Sequence, residues 1–108
     1  MKTAIASTGN TLESSVDKRF GRCSYFVIYD DESGSMDFTP NPHKDDEEGA
    51  GPAAVQLVVS KQAGQIVSGE FGIKIKPLLD SQRIRMIVIQ EDKKISEVIE
   101  LLNQKNLK

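Results

Sequence analysis

The side chains able to do chemistry in this 108-residue chain are few, because it holds one Cys and one His. Cys23 and His43 are too small a set for a Cys₄ or Cys₂His₂ zinc site, or for an iron–sulfur cluster held wholly by thiolates of one chain. Cys23 follows Arg22, whose charge would lower the thiol pKa and make the sulfur a ligand or nucleophile. The plainer reading is a small half-buried residue at the start of a strand, since free Cys is among the most buried residue types. His43 is the best nitrogen ligand available. It lies in Asn41-Pro42-His43-Lys44-Asp45-Asp46-Glu47-Glu48-Gly49-Ala50-Gly51, a stretch with four consecutive acids and no large apolar side chain. That stretch reads as a mobile surface loop, so His43 meets Cys23 only if the loop folds over it. The acids lack the alternation and the Gly of a calcium loop, and read as a solvated charge run.

Backbone donors offer more. Four segments are small, polar or glycine-rich: Ser7-Thr8-Gly9-Asn10-Thr11, Arg19-Phe20-Gly21-Arg22-Cys23, Gly49-Ala50-Gly51 and Ser68-Gly69-Glu70-Phe71-Gly72. Glycine lets the backbone approach a ligand and turn its N–H groups toward it, and Arg19 and Arg22 add charge-assisted donors. Ser7, Thr8, Gly9, Arg19, Gly21, Arg22, Gly51, Gly69 and Gly72 are therefore the candidate contacts to an anion, with Cys23 and His43 as candidate metal contacts. Any one of these loops alone reads better as ordinary turn glycines, so the case rests on their meeting. No G-x-x-x-x-G-K-[ST] or G-x-G-x-x-G run is present, which leaves adenine nucleotide binding unsupported.

The elements that must position these loops follow from periodicity. Lys2 to Ser7 is a weakly signalled strand. Tyr25-Phe26-Val27-Ile28-Tyr29 is a continuous aromatic and β-branched run, and Ser35 to Thr39 alternates; Asp31-Glu32-Ser33-Gly34 makes the two a hairpin. Pro52 to Gln62 carries Ala54/Val58 and Val55/Val59 at i,i+4, with Pro52 in the first helical turn and Gly64 past the end. Gln65 to Ser68 is a short strand. Ile75, Leu78 and Leu79 give a helix that must begin close to Pro77. Arg83 to Gln90 holds a buried strand, and Ile95, Val98, Ile99 and Leu102 form a last helix with Ser96 placed to cap it. Short connections make strands 1 to 3 antiparallel, and right-handed crossovers add strands 4 and 5. The expectation is an α/β, ribonuclease H-like fold: a mixed five-stranded sheet in order 3-2-1-4-5, strand 2 antiparallel, with helices on its faces. The loops after strands 1, 3 and 4 then converge at one end, where open α/β sheets bind ligands.

Composition bounds the partners. The net charge of −2, with 28% charged and 38% hydrophobic residues, argues against bulk electrostatic binding of nucleic acid or an anionic membrane. Met1 to Ala6 is too short for an apolar signal region, no run approaches a membrane helix, and a lone Cys suits a reducing compartment, so a cytoplasmic location is expected. One domain over 1–108 fits the length.

Lys2 to Ser7 and Arg19-Phe20-Gly21-Arg22-Cys23-Ser24-Tyr25-Phe26 resemble the opening of the dinitrogenase iron–molybdenum cofactor biosynthesis family. So do the Asn41-Pro42 turn, Gly49-Ala50-Gly51, Val67 to Gly72, Ile95-Ser96-Glu97-Val98-Ile99 and Asn106-Leu107, in the same order along nearly the whole chain. The Phe20-Gly21-Arg22 step before an aromatic strand is the most specific part. The resemblance implies a ribonuclease H-like domain that binds iron–molybdenum cofactor, its precursors or another molybdenum- or iron-sulfide cluster non-covalently. It implies a cofactor-assembly or client protein as partner. Many members have His where this chain has Arg19, so electrostatic contact replaces ligation there. Ribonuclease H-type nucleases need several core carboxylates for two Mg²⁺ ions, whereas strand 1 here offers Thr3, Ile5 and Ser7. With no acid–base pair or nucleophile constellation, no enzyme activity is expected. The alternative is a regulatory or interaction domain that binds a partner protein or a small organic anion without metal.

Overall fold

The computed structural model describes residues 1–106; Leu107 of the closing Asn106-Leu107 step lies outside the described residues. Strand β1 (Lys2–Ser7) is central and alternates its side chains between two layers. Ala4 and Ala6 face the layer that holds α1 (Ala50–Ser60) and α2 (Ile75–Ser81), while Ile5 faces the layer of α3 (Ile95–Asn106). Strand β2 (Tyr25–Asp30) sends Phe26 and Ile28 to the first layer and Val27 and Tyr29 to the second, so its continuous apolar run reflects burial on both sides. With β3 (Met36–Pro40), β4 (Ala63–Ser68) and β5 (Arg85–Val88) the sheet has the order β3-β2-β1-β4-β5. β2 is antiparallel to β1 and β3, and β1, β4 and β5 are parallel. This is the ribonuclease H-like arrangement expected from the connection rules.

Three local expectations are corrected. Helix α1 starts at Ala50, two residues before Pro52, which still falls in the first turn where a missing N–H costs nothing. The chain leaves α1 through Gln62, in the left-handed region at φ 64, and Gly64 already belongs to β4. Ser96 does not cap α3. The preceding Lys94 donates its backbone N–H to Glu97 Oε1 at 2.9 Å, half of a capping box, and Ser96 lies within the first turn. The N–H groups of Ile95 and Ser96 donate to the carbonyls of Ser14 and Leu12 at 2.8 and 3.1 Å. The start of α3 is thus filled by protein rather than left open to an anion.

Candidate functional site

Three of the loops meet at the carboxyl ends of the strands and enclose a cleft of about 320 Å³. Arg19, Gly21 and Arg22 form one wall, Glu47 to Pro52 a second, and Glu70, Gly72 and Lys74 a third. Two Phe-Gly steps hold its walls from beneath. Phe20 and Phe71 are both buried with ring centroids 5.8 Å apart, Phe20 also lies 5.4 Å from Phe26 of β2, and the following Gly21 and Gly72 line the cleft. Each Phe anchors its loop in the α1/α2 layer by burying a large ring, which leaves the next backbone unit at the surface.

The glycines here serve close packing as much as ligand access. A Cβ on Gly21 would stand 3.0 Å from Gly51 Cα, and one on Gly51 would stand 2.4 Å from Ile75 Cδ1. The 20–22 loop therefore lies directly on the start of α1, and α1 lies on α2. Gly49 precedes α1 at φ 76, a conformation that favours glycine. No side chain caps this helix, and the N–H groups of Ala50 and Gly51 have no hydrogen-bond partner among the described residues. They are donors at the positive end of the helix, beside the cleft.

The charges around the cleft are balanced in number: Arg19, Arg22 and Lys74 against Glu47, Glu48 and Glu70. Arg19 is the more available arginine, with a side chain 62% exposed and its Nε 3.9 Å from Asp17 Oδ1. Arg22 is occupied, since its Nη1 donates to the carbonyls of Lys44 at 3.0 Å and Asp46 at 2.6 Å. Selection of an anion would then rest on local donors, Arg19, Lys74 and the α1 amides, and not on a uniformly positive field.

The acidic segment is fastened, which differs from the expected mobile loop. Besides Arg22, His43 Nδ1 lies 2.9 Å from Asp46 Oδ2, and His43 is directed at its own loop. The buried Asn41 ties the loop's base: its Nδ2 donates to the carbonyls of Gly21 and Cys23 at 3.1 and 2.9 Å, while its Oδ1 accepts the His43 N–H at 3.1 Å. Asn41→Ala strips one buried and one half-buried carbonyl of their donor and is expected to cost about 1–2 kcal/mol in urea unfolding. The amide resonances of residues 20–23 and 43–46 should shift with it. Equal stability of variant and parent would mean that water takes over these bonds. Asn41 was legible only as half of an Asn-Pro turn, because nothing in its local sequence announces that its amide is buried.

The remaining candidates lie away from the cleft. Ser7 is buried and donates its hydroxyl to Gly9 O at 2.6 Å, and Thr8 exchanges bonds with Ser15. Their loop packs toward α3, where Lys94 Nζ meets Glu13 Oε1 at 2.9 Å. Gly69 crosses Lys18 and lines a separate polar pocket of about 240 Å³ with Lys18, Glu70 and Gln90. Cys23 faces the core, donating to Phe20 O at 3.3 Å. Burial, and then the charge of Asp17, push its thiol up to about 12, the opposite of the activation that a neighbouring arginine would give. Arg22 does not activate it because its guanidinium is turned to the 44–46 carbonyls.

The fold and the cleft define a class: a small ribonuclease H-like α/β domain with Phe-Gly loops gathered around the start of α1. The family model for dinitrogenase iron-molybdenum cofactor matches residues 1–105, and the chain belongs to that family. It is similar to the apo form of the orange protein from Desulfovibrio gigas, at 25% identity and a TM-score of 0.89, over 96% of this chain and 88% of that one. It is also similar to a putative NifB protein from Thermotoga, at 32% identity and a TM-score of 0.82, over 95% and 87% of the two chains. A putative dinitrogenase from Methanocaldococcus jannaschii, 18% identical with a TM-score of 0.69 over 97% and 89%, shares the fold. No curated protein matches the chain. Among the described residues no helix is long and apolar enough to cross a membrane.

Proposed function

We propose that this domain binds and carries an anionic metal–sulfur cluster, an iron–molybdenum cofactor precursor or a related molybdenum- or iron-sulfide species, without covalent attachment. The observation that carries this reading is the cleft itself, where an exposed Arg19, Lys74 and the unpartnered α1 amides meet at the ligand-binding end of the sheet. Family membership supports the choice of ligand class. The donor set fits a prebuilt cluster better than free metal ions. No group of three or more His, Cys, Asp or Glu side chains among the described residues could hold a metal ion. A cluster that brings its own sulfides needs only N–H and guanidinium donors. The cargo is then held exchangeably, as delivery to a cofactor-assembly or client protein requires, and the role is binding and not catalysis.

Anaerobic titration with thiomolybdate plus iron or copper tests this. A visible absorption band should survive desalting with the protein, and amide resonances at 19–22, 49–52 and 69–74 should shift. Arg19→Glu with Lys74→Glu should weaken uptake about tenfold or more, the equivalent of about 1.4 kcal/mol, while Cys23→Ala leaves it unchanged. No band and no shifts would sink the carrier reading. The rival, an interaction domain without metal, is favoured by the apolar groove of about 420 Å³ between β5 and α3. It predicts silence in the titration.

A further inference from the structure

We propose that Arg22 couples the cargo to the acidic segment 43–48. Its guanidinium grips that segment through Nη1 and offers Nε and Nη2 to an anion in the cleft, so that loading and the fastening of the segment reinforce each other. This regulation of the cleft rests on the carrier reading.

Arginine carries five N–H donors in one rigid plane. Arg22 spends only Nη1, on the carbonyls of Lys44 at 3.0 Å and Asp46 at 2.6 Å. Its Nε and Nη2 make no hydrogen bond among the described residues, and the half-buried side chain lines the cleft. The other side chains that fasten the segment work elsewhere. Asn41 holds its base from the core, His43 pairs with Asp46 inside it, and Lys44 Nζ reaches Ser24 Oγ at 3.4 Å. None of Asn41, His43 and Lys44 lines the cleft. Among the described residues, Arg22 is thus the fastening that a ligand there can touch.

The two carbonyls orient the guanidinium before a ligand arrives, so its remaining donors are presented with little rotamer freedom left to lose. An anion on Nε or Nη2 then holds the same plane from its other side and strengthens the grip on the segment. Linkage makes the effect mutual: whatever fastens the segment strengthens binding by the same factor. The segment runs directly into Gly49 and the unpartnered amides of Ala50 and Gly51, so steadying it also steadies those donors. Glu47 and Glu48 act in the opposite sense, since they line the same cleft and repel an anion. Both are exposed, and salt at about 0.15 M screens such charges beyond about 8 Å, while the hydrogen bonds of Arg22 act in contact. Arg22 selects the anion less than Arg19 and Lys74 do; its part is to tie occupancy of the cleft to the segment.

The amides of His43 and Asp46, which donate to Asn41 Oδ1 and His43 O, report on the segment through hydrogen exchange. Anaerobic loading of the parent with thiomolybdate plus iron or copper, at about 0.15 M salt, should slow both about tenfold. Arg22→Lys keeps the charge and loses the plane. It should take up the probe about tenfold more weakly, and loading should no longer slow these amides. In the unloaded protein Arg22→Gln should speed both about tenfold, with circular dichroism unchanged. A visible band in the parent without slowing, equal slowing in the parent and Arg22→Lys, or parent-like exchange in unloaded Arg22→Gln would each overturn the coupling and leave the carrier reading standing. The absence of any band would fell the carrier reading and the coupling with it.

Discussion

Gly69→Ala is expected to destabilise the domain by about 3 kcal/mol, the upper end of what overpacking a tight contact costs. Gly69 follows the last residue of β4, where its N–H donates to Asp17 O at 3.0 Å. An added Cβ would lie 2.5 Å from Lys18 Cα and 3.2 Å from Lys18 O. These are backbone atoms, so no rotamer change relieves the clash, and the 17–19 strand of chain must move away from β4. That movement breaks the Gly69–Asp17 bond and the short bridge between Arg19 and Glu70, which joins two walls of the cleft. Gly72→Ala is the internal control: its Cβ would meet only Ile75 Cγ1, at 3.7 Å, an ordinary contact. It should stay within about 0.5 kcal/mol of the parent, as surface changes usually do. Urea unfolding at constant m separates the two. If both variants cost the same, the close crossing does not govern this loop. The loss should also appear as weaker cluster uptake by folded Gly69→Ala, because Arg19 is carried on the displaced segment.

The fold was largely legible because its signals are of the kinds that sequence carries well. β2 is apolar from Tyr25 to Tyr29 and is buried on both faces; α1 and α3 repeat at i,i+3,i+4 and each covers one face. Connection lengths and handedness did the rest. What sequence did not carry were contacts between residues far apart in the chain. The loop after β1 follows a central strand exactly as a ligand loop would, yet Leu12 and Ser14 are committed to the first turn of α3, more than 80 residues on. Arg22 reads as a free cation because its acceptors, the carbonyls of Lys44 and Asp46, are backbone groups that every sequence has. Gly21 and Gly51 read as ligand-facing glycines, and they do line the cleft, but their size is demanded by each other and by Ile75. Lys74 escaped notice because it lies outside any glycine-rich run, one residue before α2.

Cys23 leads to the other large expected effect, a loss of stability in alkali. Burial first, and the nearby Asp17 charge second, raise its thiol from 9.0 to about 12, while Asn41 and the Ser7 backbone oppose this weakly. Below pH 9 the thiol is protonated in both the native and the unfolded chain and contributes no difference. Between pH 9 and 12 the unfolded chain releases the proton and the native chain keeps it, so stability falls as pH rises. At about 1.4 kcal/mol per unit, the full fall approaches about 4 kcal/mol. The quantity to measure is the difference between the parent and Cys23→Ala, unfolded in urea at successive pH values. The parent should lose stability more steeply above pH 9, and the difference between the two should become constant below it. A thiol reagent at neutral pH should correspondingly label Cys23 only as fast as the protein opens. Parallel pH profiles, or rapid native labelling, would mean that the sulfur reaches solvent. The same labelling bears on the cargo. If a bound cluster used Cys23, the sulfur would have to leave the core and ionise, and loading would change its protection; a cluster held by Arg19, Lys74 and the α1 amides leaves the thiol as inert as before.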